Sequence, residues 1–367
     1  MKRKKGIVVV FNPQSLYRFI WYYCAYGKNY DWTAICLPND YKGEYIGEYC
    51  EKSGIFSNII RTSIRFSKLS ILRKIQLSVE MFLHAITGQQ LKFCKKFINY
   101  FIPYDEYDIA VVSTEEEVIP GMFIGVSSEK KTVILEDGTL DYTEKKSRLQ
   151  IRDVANLWNL LGYLLSKMGY ASTVQSRYAF NKTKFCEKYA SKPELMKYRN
   201  YKSLNKLGDM DVCDKGLYKE ILKRIYPLPK DINTIDVVLC TFPYTDFVTD
   251  DSFVTSKIET YVNENYRDSI ILLKKHPRDK ADYHFDSSIK VIEIEQTVPA
   301  EIFFSYFKVK SAVFTWPSSI LFSVDEKQCN IKVLYLEQVN AIYSEYRSLY
   351  INCIQMLNIH RKNIIWI

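Results

Sequence analysis

The sequence predicts an α/β protein built in two halves. Short apolar runs alternate with longer amphipathic segments along most of the chain, and a proline-broken stretch interrupts that alternation past the middle. Neither a cysteine framework nor a long apolar span offers another architecture. A length of 367 residues suits two or three domains, and 47% hydrophobic with 25% charged residues is the balance of an ordinary globular protein. A chain this long buries its core without disulfides or structural metal. A disordered chain, a collagen-like fibre and a small disulfide-stapled module are excluded.

Ile7–Phe11 reads as a buried strand, ended by Asn12-Pro13-Gln14. Ser15–Tyr26 has a helical apolar period, and Trp32–Leu37 is a second strand. Ile64–Tyr100 is long, basic and helix-periodic. Asp108–Val112 and Lys131–Leu135 are strands with a helix or loop between them. Asp153–Met168 is a helix whose apolar face carries Leu157, Leu160, Leu161, Leu164 and Leu165. Two prolines two apart in Tyr226-Pro227-Leu228-Pro229-Lys230-Asp231 cannot continue a helix and mark the linker. A second alternation follows. Ile235–Cys240, Ser269–Leu273, Ile289–Ile294, Ala312–Thr315 and Ile331–Leu336 are strands, and Lys257–Tyr266 and Pro299–Phe307 are helices. Val339–Asn358 is a closing helix. The division is therefore residues 1–226, a Rossmann-like half; 227–338, a second one; and 339–367, a C-terminal helix.

Fifty-one Lys+Arg against 42 Asp+Glu leave +9. That suits an anionic ligand or lipid surface and is too small to argue for nucleic acid. Nine cysteines lie singly with no Cys-x-x-Cys, several in apolar runs such as Val237-Val238-Leu239-Cys240, so they read as reduced core thiols of a cytoplasmic protein. The apolar run after Met1-Lys2-Arg3-Lys4-Lys5 is too short for a signal peptide, and no run of about 18 apolar residues reads as a membrane span. The aromatics of Arg61–Tyr104 read as core. Its remaining charge, densest over Arg61–Lys96, suits peripheral contact with the inner membrane face or a lipid-linked acceptor. Apolar faces on Ile64–Tyr100 and the closing helix suit a homodimer.

Three motifs carry chemistry, each at the end of an expected strand. Val133-Ile134-Leu135 runs into Glu136-Asp137-Gly138. Ligand sites of open α/β sheets lie beyond strand carboxyl ends. Neighbouring carboxylates repel, which raises one toward the range of a general base, and a glycine admits substrate close to the backbone. Ile270–Leu273 runs into Lys274-Lys275-His276-Pro277-Arg278, which sets one of only four histidines among three cations. As imidazolium it would donate to a phosphate oxygen. His84 reads as packed, His284 and His360 as surface residues. Val313-Phe314-Thr315 runs into Trp316-Pro317-Ser318-Ser319, where hydroxyls and a helix N-terminus would make an anion site.

Taken in order, an acidic pair with Gly, a His-Pro and a Ser-Ser pair, this set resembles the bacterial sialyltransferases of GT-B architecture. The match is nearest to glycosyltransferase family 52 of lipo-oligosaccharide and capsule synthesis, with the bacterial polysialyltransferases as neighbours. Pro299-Ala300-Glu301 is similar to the family's Pro-x-Glu segment, and Phe11-Asn12-Pro13-Gln14 to its N-terminal Pro-x-Gln loop. Where the family has a Gln-Pro element, this chain has Thr241-Phe242-Pro243. The resemblance implies two Rossmann-like domains facing across a cleft and an inverting, metal-independent transfer of sialic acid from CMP-sialic acid to a glycan hydroxyl, with no cofactor. It implies Asp137, or else Glu136, as base, and His276 on the CMP phosphate as acid or electrostatic stabiliser. Ser318 and Ser319 would hold the phosphate and Glu301 the ribose. Gly138 would bind substrate, and the backbone of Lys275–Pro277 would contact the nucleotide. The logic also stands without the name. CMP is a good leaving group, so the protein must supply base assistance, charge stabilisation and exclusion of water.

Asp246, Asp250 and Asp251 form a rival acidic loop. Asp209-Met210-Asp211 is a literal Asp-x-Asp without a preceding apolar strand, and reads as a solvated turn rather than a metal site. Other nucleotide-sugar transfer, or non-catalytic glycan or membrane binding in capsule assembly, stay open as alternatives.

Overall fold

Ile7, Val8, Val9 and Val10 are all 0% exposed, as a parallel strand covered on both faces requires. They belong to the first of two units into which the chain divides in the computed structural model, Met1–Ile225 and Tyr226–Ile367. The structure describes residues 3–37, 45–62, single positions between 70 and 89, 90–114, 118–136, 183–196, 201–229, 232, 234–248, 250–318, 320–324, 329–336, 342–361 and 363–367.

The first unit runs β1 (Lys4–Val10), α1 (Pro13–Tyr22), β2 (Tyr30–Cys36), α2 (Tyr45–Ser53), β3 (Phe56–Arg61), α3 (Gln90–Ile98), β4 (Ile109–Val112), α4 (Val118–Gly125), β5 (Lys131–Leu135), β6 (Glu187–Ala190), β7 (Ser203–Lys206) and α5 (Lys215–Ile225). Its sheet has the order β3-β2-β1-β4-β5-β6-β7, and every pairing is parallel. Chain order reverses between β1 and β4, the switch point where α/β sheets bind ligands. Asn12-Pro13-Gln14, read as a loop, opens α1. The Asn12 side chain accepts from the Ser15 N–H at 2.7 Å, and the Ser15 hydroxyl accepts from the Asn12 N–H at 3.1 Å. Pro13 stands at the first helical turn, where its missing N–H costs nothing. The Phe93, Cys94, Phe97 and Ile98 face of α3 lies in the core under the sheet, so those aromatics are packing groups. The expected helix Asp153–Met168 and most of Ile64–Gln89 lie outside the described residues.

The second unit runs β8 (Thr234–Cys240), α6 (Asp251–Asn265), β9 (Ile270–Lys274), β10 (Lys290–Ile294), α7 (Glu301–Tyr306), β11 (Lys308–Phe314), α8 (Ile320–Ser323), β12 (Asn330–Val333), α9 (Ser344–His360) and β13 (Ile364–Trp366). The order is β10-β9-β8-β11-β12-β13, again all parallel, with the reversal between β8 and β11. Both units are thus Rossmann-like parallel sheets, the fold class expected. The closing helix is no separate element. Tyr350 and Ile354 of α9 pack in the second core.

The sequence reading lacks β3, β6, β7 and β13. Each is short and lies at or near a sheet edge, and Phe-Ser-Asn-Ile-Ile-Arg, Glu-Lys-Tyr-Ala and Ser-Leu-Asn-Lys carry too little apolar periodicity to announce a strand. Backbone pairing with a neighbour makes them strands, which single-sequence patterning does not contain. All nine cysteines are buried and free. Among the described residues no helix is long and apolar enough to cross a membrane.

Candidate functional site

The second unit gathers its motifs at one edge. β9, β8 and β11 lie side by side, and beyond their carboxyl ends come His276, Thr241 and Trp316-Pro317-Ser318. Ladder bonds carry this register past the strands: the Thr241 N–H donates to Lys274 O at 3.0 Å, and the Thr315 N–H donates to Cys240 O at 3.0 Å. Rings then link the three loops. Phe242 stacks on Trp316 with centroids 4.4 Å apart and planes 5° from parallel. Its other ring contacts include His276 at 6.0 Å.

His276-Pro277-Arg278-Asp279 closes a tight turn, with the Asp279 N–H donating to His276 O at 2.8 Å. Asp279 is 4% exposed and holds the turn. Its carboxylate accepts from the Thr241 hydroxyl and from the Tyr283 hydroxyl, the latter at 3.0 Å, and from the Ala281 N–H at 3.0 Å. The Thr241 hydroxyl oxygen in turn accepts from the His276 N–H at 3.4 Å. Burial and Asp279 together push the Tyr283 phenol far up.

The imidazolium expected at His276 is corrected. Burial, then Arg278 and Lys274, lower its pKa to about 4, so the ring is neutral at pH 7. The Arg278 N–H donates to Nδ1 at 3.2 Å, which places the ring proton on Nε2 and leaves that N–H as the group able to meet an oxygen. Nor is the turn an open basic surface. Lys274 is 7% exposed, Lys275 lies 4.0 Å from Glu293, and Arg278 pairs with Asp246 at 2.9 Å. Pro277 is exposed.

Glu301 opens α7 and is 6% exposed. The Ser318 hydroxyl oxygen accepts from the Ile320 N–H at 3.4 Å. The helix that follows, α8, has four residues. The expected help from a helix dipole is therefore slight, and hydroxyl and N–H groups would do the binding. Ser319 lies outside the described residues. The buried Thr315 hydroxyl, beside this turn, has no hydrogen-bond partner among the described residues.

In the first unit the acidic pair divides. Glu136 is 0% exposed and Arg18, on α1, 4%. An Arg18 Nη2 lies 3.5 Å from Glu136 Oε1, Nη1 donates to Glu136 O, and the Ser191 N–H donates to Oε2 at 2.6 Å. Glu136 thereby ties α1 to the ends of β5 and β6. Asp137 and Gly138, the next two residues, lie outside the described residues.

The rival acids are occupied locally. Asp250 caps α6, accepting from the Ser252 N–H at 3.1 Å and the Ser252 hydroxyl at 2.6 Å, and Asp246 is the Arg278 partner. Asp251 stands in the first turn of α6. In Asp209-Met210-Asp211, the Asp211 N–H donates to Asp209 Oδ1 at 3.0 Å in a local turn. No metal-binding cluster of His, Cys, Asp or Glu is found among the described residues. His84 packs on Phe93 with ring centroids 5.3 Å apart, and His284 is exposed.

The sequence reading gave no role to Asp279 or Tyr283, and quoted Thr241 only as a departure from the family pattern. Asp279 stands beside the His-Pro turn in the sequence, but Thr241 is 35 residues from His276, and nothing in their spacing says that they bond to one another.

Neither a protein-family model nor a curated protein matches the sequence. Solved structures similar to it include a Listeria monocytogenes protein described as a UDP-N-acetylglucosamine 2-epimerase, at 10% identity and TM-score 0.46, covering 92% of this chain and 80% of that one. UGT89C1 of Arabidopsis thaliana in complex with UDP is similar at 11% identity and TM-score 0.44, covering 96% and 83%. MurG of Acinetobacter baumannii is similar at 6% identity and TM-score 0.42, covering 99% and 85%.

Proposed function

We propose that this chain is an inverting sialyltransferase, transferring sialic acid from CMP-sialic acid to a glycan hydroxyl in capsule or lipo-oligosaccharide synthesis. One observation carries the reading. Three adjacent strands deliver Thr241, His276 and Ser318 to the switch point of the second sheet, with Glu301 at the start of α7. In that arrangement the Nε2–H of His276 and the Ser318 and Ser319 hydroxyls meet the departing CMP phosphate, and Glu301 takes the ribose hydroxyls. His276 acts as a hydrogen-bond donor rather than a proton donor, because a ring with a pKa of about 4 is already neutral. The base is assigned to the acidic pair. Glu136 has its oxygens committed to Arg18 and the Ser191 amide, so the role falls to Asp137. The acceptor is a glycan, lipid-linked forms included. Charge neutralisation by donors in place of a cation makes the transfer metal-independent.

The test is donor turnover with purified protein and a chelator present. Release of CMP, with transfer to a glycan, is expected, and release of UDP or another nucleotide would assign a different donor. Asp137→Ala is expected to lower transfer roughly 10²–10⁴-fold while CMP still binds. Glu136→Gln is expected to keep turnover within about threefold but to melt earlier, since its anionic charge faces a buried cation. The reverse ranking of the two variants would move the base to Glu136.

A further inference from the structure

Lys274 is buried at the end of β9 with 7% exposure. No carboxylate of the described residues lies within ion-pairing distance of it. Burial lowers its pKa to about 8, against the upward pull of Cys240 on β8, Glu301 on α7 and Asp279 in the turn. A methionine would fill the same space without that cost. What methionine could not do is donate. The ammonium gives one hydrogen bond to Lys275 O at 2.6 Å and another to Gln296 O at 2.9 Å. Lys275 O belongs to the His276 turn. Gln296 O belongs to the loop that climbs through Thr297, Val298 and Pro299 to Glu301. A second tie joins the same pair of loops, because Gln296 Nε2 donates to Asp279 O at 3.3 Å. Two backbone carbonyls and one side-chain amide therefore lock loops that chain connectivity leaves 20 residues apart (about that separation; buried donors of this kind carry the larger hydrogen-bond energies).

We infer that Lys274 is a positioning residue of the donor site: with Gln296 it clamps the His276 turn to the Glu301 loop, so that the phosphate-facing imidazole and the ribose-facing carboxylate keep a fixed separation. The site whose loops it sets is the one assigned under the proposed function, and the inference rests on that reading. Lys274 touches no reacting atom. It sets the distance between two groups that do, and its loss blurs that distance without removing either group.

The test is hydrogen exchange on ligand-free protein together with donor kinetics. Lys274→Met removes both donated bonds at nearly constant volume. Faster exchange is expected in residues 275–283 and 295–301, with β8 and β11 protected as in the parent. Donor KM is expected to rise about tenfold with acceptor KM unmoved. A merely structural lysine would instead lower the active fraction, and so kcat, at constant KM. Gln296→Ala, at a half-buried position, removes only the second tie. It should loosen the same two segments and raise donor KM about threefold. It also decides the matter should Lys274→Met not fold. Unchanged exchange in those segments, loosening of the whole second sheet, or a fall in kcat with donor KM constant would each overturn the clamp. If the parent protein turns over no CMP-sugar, the functional reading falls, and the ligand-free exchange comparison still decides whether the clamp exists.

Discussion

His276→Ala is expected to lower kcat/KM for the CMP-sugar roughly 10²–10³-fold, the usual cost of deleting one preorganised donor to a developing oxyanion. His276→Asn, which keeps an N–H, should recover part of that loss. The pH profile separates this role from acid catalysis. A histidine acting as a proton donor must be charged, so activity would fall as pH rises through the ordinary imidazole range. Here the ring's pKa lies at about 4, below its usual 6.5, so the neutral donor is fully present above pH 6.5. The His276 contribution to kcat/KM should therefore be flat from about pH 5 to 8, because the ring does not change its protonation state in that range. Stability follows the same sign. Between 6.5 and 4 the unfolded chain binds the additional proton, so the stability supplied by the neutral ring is lost as pH falls. A basic limb with its midpoint near 6.5 in the parent, absent from His276→Asn, would show an imidazolium acid instead.

Arg18→Met should produce the largest loss of stability. The substitution leaves the fully buried Glu136 carboxyl without the Arg18 guanidinium, and breaking such a pair by removing one partner costs about 3–5 kcal/mol. For a unit of this size that is a fall of roughly 10 °C in the melting transition of the first unit. The double variant Arg18→Met/Glu136→Met removes both charges and should recover most of the loss, since two apolar side chains are often as stable as a buried pair. A single-variant transition within about 2 °C of the parent would show that the pair holds little.

The fold was legible where burial leaves a run of apolar residues, as in Ile7–Val10, Lys131–Leu135 and Ile270–Leu273. The edge strands β6 and β7 were not, because their identity lies in the strand beside them. The site was legible as a set of strand ends. Its chemistry was legible only in part. Glu136 and Asp137 look alike in sequence. What distinguishes Glu136 is an arginine 118 residues away, a separation no local pattern spans. In the same way, the basic appearance of Lys274-Lys275-His276 conceals that burial keeps the imidazole uncharged and that one lysine faces inward to carbonyls. Composition records charge, and only packing decides which charges are kept.

The stacked pair of Phe242 and Trp316 gives the second unit an optical reporter. Trp316 lies in a turn next to the His276 loop, one ring removed from the imidazole. Its indole emission should therefore change in colour or yield when a nucleotide settles there. Phe242→Leu, by removing the intervening ring, would weaken that coupling. Occupancy could then be followed by fluorescence titration, without labels and before any product is formed.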